Sequence, residues 1–314
     1  ISMKKIILHK MGIRLPLLTV IGLVVSLIVE GQQIPQYTQY MFNNYITNPA
    51  VAGTYNYYQI RVNRRYQWVG LNDAPQTTGF SIFGPLSKKD MGWGGHVYMD
   101  ATGPTSRMGV MGSYAYNMAI NSDFRISGGI SFGFMQYKVD KSKFTLGDNS
   151  SIGNNTLDPT LNEVNSALTP DATIGFYVWN SFHYIGISAH QLFGQKLNLY
   201  SNPIGINRLR QHLILCVGTT KYLNKYYQIE PALLLKFPFG SKFQFELNTK
   251  VTYKSQMWGG ISYRFRDAIA IMIGYNYKKR YVFGYSYDYS YTSIRQYQSG
   301  THEIMIGYLF DKIK

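Results

Sequence analysis

Short segments in the last third of the chain alternate between apolar and polar residues. In residues 243–253 the odd positions carry Phe, Phe, Leu, Thr, Val and Tyr, and the even positions carry Gln, Glu, Asn, Lys and Thr. Residues 281–289 place Tyr or Phe at every odd position, against Val, Gly, Ser and Asp. Because successive side chains of a strand point to opposite faces, each segment predicts a strand with one apolar and one polar face.

The same alternation recurs along the chain and predicts about 14 strands, an even number that is typical of bacterial outer-membrane barrels. After a first strand near 58–68, the candidates are 76–84, 91–100, 106–119, 123–138, 171–181, 182–191, 210–222, 226–237, 242–254, 256–266, 267–277, 280–290 and 301–310. Arg64 interrupts the apolar face of the first strand, which predicts a bulge or a strand boundary there.

The connections between these strands are unequal in length. The long ones, 139–170, 192–209 and 291–300, all fall at one end, and the turns at the other end are mostly short. Long outer loops and short periplasmic turns are typical of outer-membrane barrels. We therefore predict an all-β fold, a transmembrane antiparallel up-and-down β-barrel. A soluble β-sandwich would also alternate, but it would not explain this asymmetry.

Composition agrees with a barrel that has a polar interior. The 314 residues have a mean hydropathy of −0.16, which would suit a soluble protein, and they include 28 Tyr but only 4 Trp. A membrane barrel has such an average because its lumen face offsets its lipid face. Tyrosine suits the boundary between lipid and water because its ring is apolar and its hydroxyl is polar.

The chain divides into three parts by pattern. Residues 1–31 have a basic start and an apolar run, which predict a signal peptide that is cleaved near Gly31 for export to the outer membrane. A retained signal anchor is the alternative. Residues 32–55 contain Pro35 and Pro49 and do not alternate, so we expect an irregular segment that folds into the lumen as a plug or lies beneath it. Residues 56–314 form the barrel.

The net charge of +15 indicates an anionic partner. An exported chain does not meet nucleic acid routinely, so outer-membrane lipid or an acidic protein is expected instead. The polar strand faces predict a lumen that is basic overall, and this favours either an anion-selective pore or a filled, salt-bridged interior. The candidate lumen charges are Arg61, Arg125, Arg264, Arg266, Glu246 and Glu303.

The sequence gives little sign of catalysis, of a metal site or of a cofactor. Its histidines lack the spacing of a metal site. Ser188 and His190 share a strand face, which is a weak indication of a hydrolase, with His212 as a further candidate. Cys216 lies in an apolar strand pattern, as an inert buried thiol would. Residues 140–158 are rich in Asp and Asn but lack the spacing of a calcium loop.

Several blocks of sequence resemble one known family in order along the whole mature chain. They are QYTQYMFNNYITNPAVAG at 36–53, RYQWVG at 65–70, APQT at 74–77, DATGPT at 100–105, GYSYDY at 284–289 and SGTHEIM at 299–305. Together these blocks resemble the PorP/SprF family of Bacteroidetes outer-membrane proteins. The chain departs from the general outer-membrane pattern at its end, where four residues follow the terminal aromatic Phe310.

The resemblance implies a non-enzymatic role in type IX secretion, linked in some members to gliding motility. It implies two partners, the C-terminal domain of a large adhesin-like cargo protein and the periplasmic ring of the secretion machine. No catalytic residues carry over. The expected contacts with a partner or with the plug are Tyr37, Tyr40, Phe42, Asn48, Pro49, Arg65 and Trp68. An anion-selective outer-membrane channel is the alternative function.

Overall fold

The computed structural model describes residues 34–86, 90–143, 164–197 and 208–311. The predicted signal peptide, its cleavage site near Gly31 and the central parts of two long loops lie outside the described residues. So does most of the Asp-rich segment that was considered for calcium. Among the described residues, no helix is long and apolar enough to cross a membrane.

The strands follow the alternating segments closely. They are β1 (Tyr57–Tyr66), β2 (Gln76–Pro85), β3 (Met91–Thr102), β4 (Thr105–Ala119), β5 (Arg125–Asp140), β6 (Val164–Trp179), β7 (His183–His190), β8 (His212–Thr219), β9 (Lys221–Tyr222), β10 (Tyr227–Pro238), β11 (Gln244–Tyr253), β12 (Met257–Arg264), β13 (Ala268–Tyr277), β14 (Tyr281–Ser290) and β15 (Thr301–Asp311). Short 3₁₀ turns occur at Tyr40–Phe42, Asn44–Ile46, Pro49–Val51, Lys141–Lys143 and Ser293–Tyr297.

The strands form one closed antiparallel barrel. Neighbours in sequence are neighbours in the wall, and β15 pairs with β1 to complete the ring. The two-residue β9 continues β8 along the same partner, β10, so the described wall has 14 positions. The break between them faces Pro231 of β10, which has no backbone N–H to give to the ladder. The predicted fold and the strand count are confirmed.

The two ends of the barrel differ. The connections 180–182, 223–226, 254–256 and 278–280 are short and share one end with the start of β1. The longer connections 67–75, 141–163, 191–211 and 291–300 share the other. Short turns mark the periplasmic end of such barrels, and we name the two ends periplasmic and outer accordingly.

One long loop is shorter than the sequence predicted. The pattern assigned 139–170 to a connection, but β5 continues to Asp140 and β6 already begins at Val164. Pro170 hid this extension, because a proline argues against a central strand. It is tolerated here because β7 pairs with β6 only from Ile174 onwards, so Pro170 has a ladder partner only on its β5 side.

The two faces of the wall have the polarity that the alternation predicted. On β5, Ile130, Phe132 and Phe134 are more than half exposed on the lipid-facing side, whereas Ser127 and Ser131 are buried in the lumen. Arg64 does not sit at a bulge, because the register of β1 is continuous with both neighbours. Its guanidinium lies outside the lumen near the outer end of the strand, over the ring of Tyr66.

Candidate functional site in the lumen

The N-terminal segment lies inside the barrel. Residues 34–56, which we call the plug, precede β1 and include three 3₁₀ turns. Thr38, Gln39, Ala50 and Ala52 are all 0% exposed. The beginning of the plug contacts residues near the outer end of the wall, and Gly53 reaches Gly92 at the periplasmic end. The plug therefore spans most of the height of the lumen.

The first part of the plug meets charged residues of the wall, which we call the charged half of the lumen. They are Arg65 of β1, Glu246 of β11, Arg264 of β12, Asp288 of β14 and Glu303 of β15. Each of these side chains is at most 2% exposed. Arg65 Nη2 lies 2.8 Å from Asp288 Oδ2, and Arg264 Nη1 lies 3.2 Å from the same oxygen. The charges thus form one buried network.

Thr38 of the plug lies at the centre of this network. Its hydroxyl donates to Asp288, 2.8 Å from Oδ2, and accepts from Arg65 Nη1 at 2.6 Å. Its backbone N–H donates to Glu303 Oε2 at 2.7 Å, and the N–H of Gln39 donates to Oε1 at 3.3 Å. Buried carboxylates are stable only when donors satisfy them. The wall has more carboxylates than guanidinium groups here, so the plug supplies donors that the wall lacks.

Aromatic contacts follow towards the middle of the plug. Tyr40 accepts a hydrogen bond from Asn248 Nδ2 at 2.8 Å. Burial raises the pKa of Tyr40 well above its usual value, so the phenol stays neutral. Phe42 stacks on Trp258 with ring centroids 3.8 Å apart, and Lys250 Nζ lies 4.8 Å from the centroid of Phe42. These contacts fix the plug laterally without further buried charge from the plug itself.

The second part of the plug meets glycines of the wall, which we call the glycine half of the lumen. They are Gly92 and Gly94 of β3, Gly129 of β5, Gly175 of β6 and Gly186 of β7. A Cβ at Gly129 would overlap the backbone of Pro49 and Ala50, and a Cβ at Gly92 would overlap that of Ala52. The absence of side chains thus lets the plug backbone lie directly against the strands.

Asn48 connects the plug to this half by hydrogen bonds. Its Nδ2 donates to the carbonyls of Phe176 at 2.9 Å and Ile187 at 3.2 Å. Its Oδ1 accepts from the N–H of Ala50 at 2.9 Å and so caps the short turn that Pro49 begins. One side chain therefore caps the start of the local turn and ties it to two strands.

Tyr45 fills the space beside β3. Its ring stacks on Phe83 with centroids 4.6 Å apart, and its hydroxyl lies 2.7 Å from Ser113 Oγ. A Cβ at Gly94 would stand 2.6 Å from Tyr45 Cζ. Burial raises the pKa of Tyr45 above its usual value, so this hydroxyl also stays neutral.

The structure places most of the sequence-selected contact residues together. Tyr37, Tyr40, Asn48 and Pro49 are buried in the plug, Phe42 is half-buried there, and Arg65 binds the plug from the wall. Trp68 lies apart from them, in the connection after β1. Its N–H donates to Thr301 Oγ1 at 3.1 Å at the outer end.

The predicted lumen charges need one correction. Arg61, Arg264, Glu246 and Glu303 are buried in the lumen. Arg125 lies at the periplasmic start of β5, where it is 39% exposed and pairs with Asp90, and Arg266 lies exposed in the turn after β12. Alternation predicts which face a residue occupies but not its height along the strand. The two rim residues made the lumen look more basic than its paired interior is.

The weak indication of a hydrolase is not supported by the geometry. Ser188 Oγ donates to the carbonyl of Thr47 at 2.6 Å, and His190 Nε2 lies 2.8 Å from the same oxygen. Ser188 Oγ and His190 Nε2 lie 3.1 Å apart. Because a carbonyl can only accept, the contact of Nε2 with Thr47 O requires a proton on Nε2, and in that tautomer Nε2 is not the base for Ser188. These side chains hold the plug. Among the described residues, no group of His, Cys, Asp and Glu could hold a metal ion.

Some space remains between the plug and the wall. A cavity of about 80 Å³ is lined by Ile34 and Tyr37 of the plug and by Asp171, His190 and Lys236 of the wall. A water molecule needs roughly 10–15 Å³ of such space, so the cavity can hold several waters among these polar groups. It lies beside the plug and does not replace it.

Thr38 and the glycines were not selected from the sequence. A lone Thr in an irregular segment gives no signal of its partners, which are 250 and 265 residues away in the chain. The glycines did leave a sign. Several of them occupy lumen-facing positions of neighbouring strands, where larger polar residues are usual.

A family model described as type IX secretion system membrane protein PorP/SprF matches residues 29–308. The chain belongs to this family. The resemblance that the sequence blocks indicated is thereby confirmed. Among curated proteins, none matches the chain.

Solved structures with a similar fold are outer-membrane barrels. The CymD monoaromatic hydrocarbon channel is 10% identical with a TM-score of 0.51, and the match covers 90% of this chain and 94% of the CymD chain. A deletion mutant of the TodX monoaromatic hydrocarbon channel is 10% identical with a TM-score of 0.50, and covers 85% and 94%. At this identity the likeness concerns the fold alone. Fold and family together identify this PorP/SprF protein as an integral outer-membrane protein.

Proposed function

We propose that this PorP/SprF protein is a non-enzymatic docking component of type IX secretion. Its outer loops bind the C-terminal domain of a secreted adhesin-like cargo protein, and its periplasmic end meets the ring of the secretion machine. Gliding motility enters the proposal where that cargo is a motility adhesin. The role rests on binding surfaces, and the barrel is their membrane anchor.

The filled lumen is the observation that carries this proposal. A barrel of this size has room for a channel unless something occupies it. Here Thr38 ties the plug to Asp288 and Glu303 on one side, and Asn48 ties it to β6 and β7 on the other. A plug held from both sides suits a static anchor better than a pore for diffusing solutes.

The ordered part of the outer end supports a docking surface. The connections 67–75 and 291–300 are joined by two backbone hydrogen bonds, from Val69 N–H to Gly300 O at 2.8 Å and from Ser299 N–H to Val69 O at 2.7 Å. We call these two joined connections the outer platform. On it, Tyr297 is 66% exposed and Val69 is 38% exposed. Exposed aromatic and aliphatic side chains on rigid backbone are favourable for binding a protein partner.

An affinity pull-down from native outer membranes tests the proposal. Detergent-solubilised wild-type protein is compared with a Tyr297→Ala/Val69→Ser variant, and the bound proteins are identified by mass spectrometry. We expect the wild type to recover one large secreted protein through its C-terminal domain, together with ring components. The platform variant is expected to lose the cargo and keep the ring. Recovery of the barrel alone, and unchanged secretion in a deletion strain, would contradict docking.

The anion-selective channel remains the alternative function. The cavity of about 80 Å³ beside the plug is the feature that favours it. Planar-bilayer recording distinguishes the two, with a variant that lacks residues 34–53 as the positive control for an open lumen. We expect the wild type to be silent and the deletion variant to conduct. Steady anion-selective current through the wild type would favour the channel.

A further inference from the structure

Two lysines at the periplasmic end converge on one tyrosine. Lys225 Nζ lies 4.9 Å from the ring centroid of Tyr226, and Lys254 Nζ lies 5.3 Å from the same centroid. Lys254 Nζ also lies 5.2 Å from the ring centroid of Tyr253. Each contact is within the range of a cation–π interaction. Both ammonium groups lie beside the same ring, so positive charge is concentrated there, and this favours binding of an anion.

Among the described residues, the ion pairs at this end of the barrel do not include Lys225 or Lys254. The nearby Lys250 shows the contrast, because it lies 2.6 Å from Glu230 Oε2 inside the lumen. The two rim lysines therefore present unneutralised charge in a fixed place.

The backbone around the lysines is well fixed. Asn224 Oδ1 accepts from the N–H groups of Tyr226 and Tyr227 at 2.8 and 3.0 Å, which closes the turn before β10. The N–H of Lys254 donates to Tyr226 O at 2.7 Å and joins the next turn to it. Lys254 has a φ of 48°, a left-handed conformation in which Gly or Asn is usual. Ser255 shares this conformation, as do Lys278 and Lys279 in the neighbouring turn, so the left-handed φ follows from the geometry of these tight turns and fixes the position of Lys254.

The surroundings of the pair indicate lipid. Tyr222 and Leu223 are 62% and 57% exposed at this rim, and Tyr227 is 43% exposed at the start of β10. Exposed tyrosines at the end of the strands mark the level at which lipid chains meet water, and lysines beside them extend to the headgroups. This composition of the rim favours a lipid headgroup as the anion.

We propose that Lys225, Tyr226, Tyr253 and Lys254 bind the phosphate of an anionic phospholipid in the periplasmic leaflet. The ammonium groups contact the phosphate oxygens, and the tyrosine rings with Leu223 contact the glycerol and the first part of the acyl chains. The site lies outside the lumen and away from the outer loops. It therefore stands independently of the docking role.

Native mass spectrometry of the detergent-purified protein with phosphatidylglycerol tests this site. The variant is Lys225→Gln/Lys254→Gln. The matched control is Lys278→Gln/Lys279→Gln, which removes the same charge from the same rim, where Lys278 alone stands over Tyr277. A lysine near a membrane surface contributes about fivefold to affinity for anionic lipid, so the test variant should bind roughly 25-fold more weakly. The control should change by less than about threefold.

Three results would overturn the proposal. Equal losses in both variants would mean that diffuse rim charge attracts lipid. Displacement of phosphatidylglycerol by inorganic phosphate at equal concentration would mean that the lysines bind free phosphate and the lipid body adds nothing. Unchanged lipid binding with loss of a co-purified acidic protein would assign the lysines to a protein partner. Heat-modifiable gel mobility confirms beforehand that both variants are folded.

Discussion

The two halves of the lumen hold the same plug by different physical means. In the charged half, Arg65, Asp288 and Glu303 surround Thr38, and hydrogen bonds between charged and polar groups fix its position. In the glycine half, the wall offers backbone carbonyls, hydroxyls and the imidazole of His190 but no buried ion pair to the plug, and the plug backbone lies in the space left by glycines. One half recognises the plug by donors and acceptors, and the other mainly by shape.

The difference determines how each half should respond to substitution. A charged network fails when a partner is removed, because the remaining charge is buried without compensation. A close backbone contact fails when an atom is added, because the strands cannot move apart without breaking the ladder. Truncation should therefore damage the charged half, and enlargement should damage the glycine half.

Arg65→Ala should have the largest effect. It removes the guanidinium that binds Thr38, Asp288 and Glu303, and leaves the carboxylates buried with fewer donors. We expect the free energy of unfolding to fall by about 3–5 kcal/mol, measured by urea titration in lipid vesicles. Arg64→Ala is the control, because Arg64 points out of the lumen to Thr78 and Gln76. Equal losses of unfolding free energy in both variants would show that the buried network stabilises the protein no more than an exposed arginine does.

Gly129→Ala should be the next most damaging change. The added methyl group would overlap the backbone of Pro49 and Ala50, and overpacking of this kind costs about 1–3 kcal/mol. Limited proteolysis of residues 34–56 should show a loosened plug. Gly128→Ala is the matched control, because its Cβ would lie 3.7 Å from the ring of Phe176, an ordinary contact. A plug that stays protected in Gly129→Ala would contradict recognition by shape.

Asn48→Ala should have a smaller effect within the same half. It leaves the carbonyls of Phe176 and Ile187 without this donor and removes the cap on Ala50, at a cost of about 1–2 kcal/mol. Asn44→Ala serves for comparison, since Oδ1 of Asn44 is buried without a hydrogen-bond partner among the described residues. The same urea titration measures both. If Asn44→Ala were the more harmful, the assignment of Asn48 as the connecting residue would be wrong.

Arg266→Gln should have the smallest effect. Arg266 is exposed in the turn after β12 and stacks over Phe265, so its loss should change the free energy of unfolding by less than about 0.5 kcal/mol. Arg264→Gln, two positions earlier and buried, should destabilise the barrel strongly by comparison. This pair sharpens the boundary between lumen and rim. A large decrease in the free energy of unfolding for Arg266→Gln would mean that Arg266 stabilises the barrel as the buried lumen charges do.

The sequence predicted the wall better than it predicted the contents of the lumen. Alternation over 243–253 and 281–289 translates directly into β11 and β14, because a strand fixes the direction of each side chain. The predicted start of β6 was wrong because Pro170 argued against a strand there. The strand tolerates this proline because it has a ladder partner on one side only at that point. A local pattern does not report which neighbours a strand will have.

The lumen was predictable where charge marked it. Glu246, Arg264 and Glu303 stand out on polar strand faces, and the structure buries all three. The contacts with the glycines could not be predicted in this way, because a glycine is neither polar nor apolar enough to mark a face in the alternating pattern. Arg125 lies on a polar strand face, as Arg264 does, yet it is at the rim of the barrel. The alternation predicts the face that a residue occupies but not its height along the strand. Contacts with Thr38 depend on chain closure and could not be derived locally.

The span of the plug contacts along the chain has a consequence for biogenesis. Thr38 donates a hydrogen bond to Glu303, 265 residues later in the chain, and Gln39 donates to the same side chain. The start of the plug therefore has its binding partners only when the last strand is present. The glycine contacts involve β3 to β7, which are synthesised long before. The bonds of Thr38 and Gln39 to Glu303 therefore form only after the last strand has been made, whereas the strands of the glycine half are available earlier. A barrel that closed without the plug would leave Asp288 and Glu303 short of donors and would be less stable than the complete protein.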